Sequence, residues 1–360
     1  MSMMISEEAI QLIKDKQALS IDSKTLVDEQ LSLIYDNNWF NIWVPQILGG
    51  KELSLQDGLA LLEELAYWDG GLGWTVTLCA GANMFAGYLD KDLARKVFAD
   101  RKVCFGGSGR ATGKAVWDGT QYSITGFWRF ATGAPHLSHF TLNSFVYDGD
   151  KARVDKDGNP VFYSFFVPRD KVLIHYDWDS FGLACTASHS FSLENATVEA
   201  HHAFQIDPQH RIDDHVLYRI PFVPFAELTL LVNYMGMYRR YLDLVEKFFF
   251  EKSADENWHT KYGRDYFKRL DGLQQQLESD RTKVAALTEQ LWALALQDSP
   301  LDAALASEIT STARGIVKHI LADVVTLFPL LGINAAQNGQ EINTVFRNIF
   351  TASQHSLLNI

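Results

Sequence analysis

The stretch Gly126-Phe127-Trp128-Arg129-Phe130-Ala131-Thr132-Gly133 decides how this chain is read. Gln121-Tyr122-Ser123-Ile124-Thr125 leads into it with strand-like alternation, and Gly133-Ala134-Pro135 leaves it as a small-residue turn. Successive strand side chains face opposite ways, so the alternation predicts Trp128, Phe130 and Thr132 on one face. A flat apolar wall ending in a hydroxyl suits a planar heteroaromatic ring. The ring stacks on the wall and the hydroxyl bonds a ring nitrogen or oxygen. The same pattern also describes a plain core strand, and both readings stand on these eight residues alone.

Around this stretch, residues 102–222 alternate apolar and polar side chains at period two, in Tyr122–Thr125, His139–Val146, Val161–Val167 and His189–Leu193. Turns at Asp118-Gly119 and Asp157-Gly158-Asn159-Pro160 separate these runs, which predicts a middle antiparallel sheet or barrel domain. Residues 1–101 are helical in texture. Ser54 with Asp57 forms a cap, Leu55, Leu59, Leu62 and Leu65 follow at helical spacing, and Glu63 and Glu64 mark a solvent side. Trp68-Asp69-Gly70-Gly71 stops that helix, a second starts near Trp74, and a third covers Asp90 to Phe98. Residues 223–360 hold the long amphipathic stretches Phe225–Lys252, Gly263–Leu296 and Leu301–Phe328 and the shorter Gln340–Ile360, which predict a four-helix bundle. The fold class is α+β: helices, then sheet, then helical bundle.

Composition narrows the function. A net charge of −12 over 360 residues argues against nonspecific nucleic-acid binding, which needs a Lys/Arg excess. The longest apolar run, around Val324–Ala336, is interrupted by Pro329 and is too short for a bilayer span. Met1 to Glu8 has no signal-peptide character, so cytoplasmic residence is expected. Cys79, Cys104 and Cys185 are scattered without CxxC spacing, so neither a disulfide framework nor a metal site is expected.

With these residues in this order, the chain resembles the acyl-CoA dehydrogenase superfamily of flavoproteins across nearly its whole length. Val44-Pro45-Gln46-Ile47-Leu48-Gly49-Gly50 is similar to the N-terminal turn of that family, and Glu63-Glu64-Leu65-Ala66 to the helix after it. Gly106-Gly107-Ser108 ahead of Gly113-Lys114-Ala115 falls at the first flavin-contacting loop. Gly126–Gly133 falls at the strand against the flavin ring. Gly182–Val198 resembles a later segment, and Arg347-Asn348 resembles the terminal Arg-Asp pair. The resemblance implies a flavin, FAD or FMN, between the sheet domain and the bundle. It also implies a homotetramer or dimer whose partner subunit helps hold the cofactor. Thr132 would bond near flavin N5, Trp128 and Phe130 would wall the ring, and Ser108 and Arg347 would contact the cofactor.

The chemistry turns on a base. Dehydrogenases of the family use a glutamate opposite the flavin at one of two places. The first falls near Ser356, and no carboxylate follows Glu341. The second falls near Ala226, where Glu227 stands one residue out of register, a turn of about 100° on a helix. The tail instead offers His355, in a segment resembling the flavin-dependent monooxygenase branch, where a histidine near the C-terminus contacts the substrate or the oxygenated flavin. Imidazole, with an ordinary pKa of about 6.5, suits proton movement there.

Thr186 and Ser188 fit that branch's pattern, while Ala184 and Ala187 depart from it. Trp74, Asn83 and Ser188 are expected on the substrate side. His189 is expected to face solvent, and His136, after Pro135, to sit on a surface turn. The resemblance therefore implies a reduced-flavin monooxygenase, fed by a separate flavin reductase, acting on an apolar or aromatic small molecule. The alternatives are an acyl-CoA dehydrogenase using Glu227 and a non-catalytic flavin-binding homologue.

Overall fold

The computed structural model describes residues 5–359. Helices come first: α1 (Glu7–Ser23), α2 (Asp28–Asp36), α3 (Leu55–Trp68), α4 (Gly70–Asn83) and α5 (Lys91–Phe98). Strands follow: β1 (Phe105–Trp117), β2 (Gln121–Ala131), β3 (His139–Asp148), β4 (Lys151–Ala152), β5 (Phe162–Pro168), β6 (Leu173–His175), β7 (His189–Glu199) and β8 (Ala203–Phe204). The chain closes with α6 (Phe222–Lys252), α7 (Glu256–Trp258), α8 (Arg264–Leu296), α9 (Ala303–Leu331) and α10 (Glu341–Ala352).

Local chemistry sets the helix ends. Ser54 caps α3 by accepting the Asp57 N–H at 3.1 Å. Asp69 follows α3 directly and caps α4, taking the N–H groups of Gly71 at 2.8 Å and Leu72 at 3.2 Å. Two helices therefore meet with a single residue between them. Nearly every residue of α4 is buried, the pattern of a helix surrounded by other elements. Gly73 lets it approach α3, since a Cβ there would stand 2.6 Å from the Ala66 Cα. Sheet, α3 and α6 close around α4, and the candidate site is built at its rim.

The sheet runs β6-β7-β2-β1-β3-β5-β8. It is mixed rather than antiparallel, because β1 and β3 pair in parallel. β2 is the hairpin partner of β1, so β3, returning past β2 to the far side of β1, points the same way as β1. Two other expectations are corrected. Glu63 faces the bundle, not solvent: its Oε1 lies 3.1 Å from Arg239 Nη1 and 3.1 Å from Arg281 Nε. Burial raises the Glu63 pKa against the pull of those two guanidinium groups. Pro329 lies inside α9, close enough to its end that the helix continues to Leu331 before Gly332, at φ +79°, stops it. Among the described residues no helix is long and apolar enough to cross a membrane.

Candidate active site

The alternation that predicted a three-residue wall breaks at the end of β2. Register against β7 shifts between Ile124 and Gly126 and again between Trp128 and Ala131. Phe130 sits at φ +68°, a strained region for an aromatic residue and one that concentrates at functional sites. Trp128 and Phe130 consequently face opposite ways. Trp128 is buried, stacked on Phe191 at 5.3 Å, and donates from Nε1 to the Asn143 carbonyl at 3.0 Å. Its indole fills the space that glycines leave on two strands: a Cβ at Gly113 would lie 2.2 Å from it, and one at Gly126 2.6 Å. Trp128 is therefore core, and the expectation that it walls the flavin is corrected. Phe130 is 58% exposed, touched edge-on by Trp178 at 6.2 Å.

Thr132, just past β2, opens a chain of buried hydroxyls. Its Oγ1 lies 2.9 Å from Ser188 Oγ, which lies 2.8 Å from Thr186 Oγ1. Thr186 Oγ1 donates to the Leu183 carbonyl at 2.9 Å. A hydroxyl has one proton, and a carbonyl can only accept, so the direction of every bond is settled. Ser188 donates to Thr186, and Thr132 donates to Ser188. Thr132 is left with lone pairs and no proton to offer a further partner.

The segment that carries Thr186 and Ser188 is held by the tail helix. Asn348 Oδ1 accepts the Leu183 N–H at 2.7 Å. Gly182 presses on the same helix, because a Cβ there would lie 2.0 Å from the Arg347 carbonyl oxygen. Gly133 N–H reaches back to the Thr186 carbonyl at 2.8 Å. Leu183 at φ +55° and Ala187 at φ +44° are further strained positions in this short segment. Asn348 replaces a carboxylate of the expected pair and serves the loop instead, so Arg347 has no ion-pair partner among the described residues. Its Nε is shut off from solvent without a hydrogen bond.

His355 lies beyond the end of α10, which stops at Ala352, so the expected helix to the C-terminus is corrected. The tail turns there through the Leu358 N–H to His355 carbonyl bond at 2.9 Å. The imidazole meets Trp74 of α4 edge to face, centroids 5.9 Å apart at 67°. Nδ1 accepts the Leu357 N–H at 3.3 Å, which assigns the neutral ring's proton to Nε2. Nε2 has no partner among the described residues. Burial holds the His355 pKa below its ordinary value.

Other expected site residues separate. Asn83 is fully buried: its Nδ2 donates to Asn41 Oδ1 at 2.6 Å, and its Oδ1 takes the Phe105 N–H at 2.6 Å. It ties α4 to β1, and its expected place beside the substrate is corrected. Glu227 is buried on α6 and accepts from Thr310 of α9 at 2.8 Å, inside the bundle. Burial raises its pKa, with Thr310 and Arg314 opposing. Ser108 lies on continuous strand β1 rather than in a loop, half-buried, at a shift of register against β3, and its hydroxyl has no partner among the described residues. His189 is buried, not solvent-facing, and takes the Trp178 N–H on Nδ1 at 2.9 Å.

A helical layer, a mixed sheet and a helical bundle make up the acyl-CoA dehydrogenase-like fold, which is also the fold of the solved monooxygenases that superpose on this chain. No family model matches the chain. It is similar to the pigment production hydroxylase of Rhodococcus sp. (strain ATCC 21145), 22% identical over 94% of this chain and 88% of that protein. It is also similar to HsaA of Mycobacterium tuberculosis, the oxygenase subunit of a flavin-dependent monooxygenase, 23% identical over 96% of this chain and 88% of that one. The solved HsaA structure superposes with a TM-score of 0.88, covering 98% of this chain and 93% of that chain at 19% identity. XiaF from Streptomyces sp., solved in complex with FADH2 and glycerol, gives 0.84, with coverages of 98% and 90% at 20% identity.

Proposed function

We propose that this chain is the oxygenase component of a two-component flavin monooxygenase, acting on an apolar or aromatic small molecule. The observation that carries the proposal is the direction of the hydroxyl chain. Thr132 is left an acceptor, and a ring edge that presents an N–H satisfies it, whereas one that presents a bare nitrogen does not. Reduced flavin has that N–H. The remaining residues fit the same group: Phe130 offers an exposed aromatic face, Ser108 a free hydroxyl and Arg347 a buried unpaired nitrogen. The relatives that are oxygenase subunits favour the same reading.

When bound, reduced flavin activates O2. Thr132 would hold the ring edge by accepting its N–H, and Phe130 would offer its exposed ring to the cofactor. Trp74 holds the half-buried His355, whose Nε2–H would be free to donate to oxygen or to the substrate hydroxyl. A separate reductase supplies the reduced flavin, and cytoplasmic residence follows from that supply. Exposed Tyr176 and Phe181 favour a homo-oligomer, dimer or tetramer, in which a partner covers these rings. Thr310 holds Glu227 in the bundle, which disfavours acyl thioester dehydrogenation.

Binding of FMN and FAD in both redox states tests the proposal. Tighter binding of the reduced form, followed by product formation from an aromatic substrate on admission of O2, is expected. Equal affinity for both forms, or bleaching of bound oxidised flavin by an acyl-CoA, overturns it.

A further inference from the structure

Behind Thr132 the fold gathers three side chains that lie far apart in sequence. Cys79 comes from α4, Cys104 from the residue before β1, and His136 from the turn after β2. Their ligand atoms all lie within 4.8 Å of one another. Both thiols are buried, and both His136 nitrogens are shut off from solvent without a hydrogen-bond partner. Two orphaned ring nitrogens are costly, because a buried polar atom without a partner forfeits its hydration. Phe40 stacks flat on the imidazole, centroids 5.7 Å apart at 12°, and fixes the ring plane. His136 lies on a turn, as expected, but is half-buried with its ring nitrogens turned inward, and two of the three cysteines, scattered in sequence, meet it there.

The opening between them is made by a glycine. Gly133 sits at φ +77°, and a Cβ there would stand 2.6 Å from His136 Nε2 and 3.3 Å from Cys79 Sγ. Only a residue without a side chain leaves these two donors facing one another. The Thr132 carbonyl oxygen, 3.8 Å from Cys79 Sγ, is a fourth donor at the rim. Donors around a tetrahedral zinc, at about 2.3 Å for sulfur and about 2.0 Å for nitrogen or oxygen, stand roughly 3.3–3.8 Å apart. The observed upper bound of 4.8 Å lies about 1 Å above that spacing.

We infer that Cys79, Cys104 and His136 form a binding site for a soft or borderline divalent cation, zinc foremost. Two sulfurs and an imidazole are the donor set such a cation selects. The site joins α4, β1 and the turn after β2 at one point. It borders Thr132, whose carbonyl oxygen lies at its rim and whose hydroxyl belongs to the candidate active site.

Cobalt(II) added anaerobically to the reduced, chelator-stripped full chain tests the inference. One equivalent is expected to give a thiolate-to-cobalt charge-transfer band in the near ultraviolet, with visible bands of four-coordinate cobalt that zinc then abolishes. Cys79→Ser and His136→Gln should each weaken binding by about 100-fold or more, whereas Cys185→Ser, the third cysteine, should leave it unchanged. Circular dichroism identifies any variant that fails to fold. His136→Gln, on a turn rather than in the packed helix, keeps the test available if Cys79→Ser does. Absence of the charge-transfer band in the unaltered chain, or its persistence in both ligand variants, overturns the inference. Flavin need not be present for any of these readings.

Discussion

Trp74 and His355 meet edge to face across 5.9 Å, so the central helix α4 holds a side chain that lies in the last turn of the chain. Trp74 is itself buried, and burial is the cause that lowers the His355 pKa. Neutral imidazole is thus the working form: Nδ1 accepts from Leu357, and protonation would set two donors against each other. Activity is expected to be full above the ordinary histidine pKa and to fall as pH drops through the lowered one. Trp74→Ala admits water to the ring, so the acid limb of the kcat profile should move up in pH. An unmoved limb separates the two residues.

His355→Ala should reduce product formation by about 10²–10⁴, the range for a positioned proton-transfer group. Reduced flavin should still be bound and oxidised, with O2 released as peroxide in place of product. Product yield per flavin oxidised is the measurement, and a yield equal to that of the unaltered chain removes His355 from the chemistry.

Ser188→Ala deletes the middle hydroxyl between Thr132 and Thr186. Thr132 regains a free proton and can then donate to a bare ring nitrogen as well as accept from an N–H. The preference for reduced over oxidised flavin should shrink by about tenfold, the equivalent of roughly one hydrogen bond. Fluorescence titration in both redox states reads it, and an unchanged ratio shows that the chain does not set the preference.

Gly182→Ala places a methyl group 2.0 Å from the Arg347 carbonyl oxygen, which is backbone and cannot swing aside. The loop should lift from α10, the Leu183 bond to Asn348 should lengthen, and flavin affinity should fall. Gly109→Ala, with nothing within 4 Å of its Cβ, is the neutral comparison. Equal flavin affinities in the two variants would refute the contact's role.

His139, between Phe105 and Phe166, has its pKa lowered to about 4, first by burial and then by the charge of His202. The unfolded chain takes up this proton near the ordinary histidine pKa of about 6.5 while the folded chain refuses it. Stability should therefore decline as pH falls from that value towards 4, by on the order of 3 kcal/mol from this residue. His139→Gln should flatten the melting temperature over that window.

Most of the fold was legible because hydrophobic period reports local structure directly. The alternation at Tyr122–Thr125, the Ser54 cap and the leucine spacing after it all lie within elements the structure contains. The direction of β1 against β3 was not legible, since two strands carry the same alternation whichever way they run. Likewise, Glu63 looked solvent-facing because nothing local signals that Arg239 and Arg281 arrive from other helices.

Gly126–Gly133 shows the division most plainly. By itself the sequence determined that an aromatic strand ends there in a hydroxyl and a glycine turn, because residue types and spacing suffice for that. Tertiary structure decided which ring meets a ligand: two register shifts send Trp128 inward over Gly113 and Gly126 and leave Phe130 outside. It also decided that Thr132 spends its proton on Ser188 and is left to accept from any further partner, and that His136 lies against Cys79 and Cys104. Each of these depends on atoms contributed by strands and helices distant in sequence, and a local pattern carries no information about which distant atom arrives.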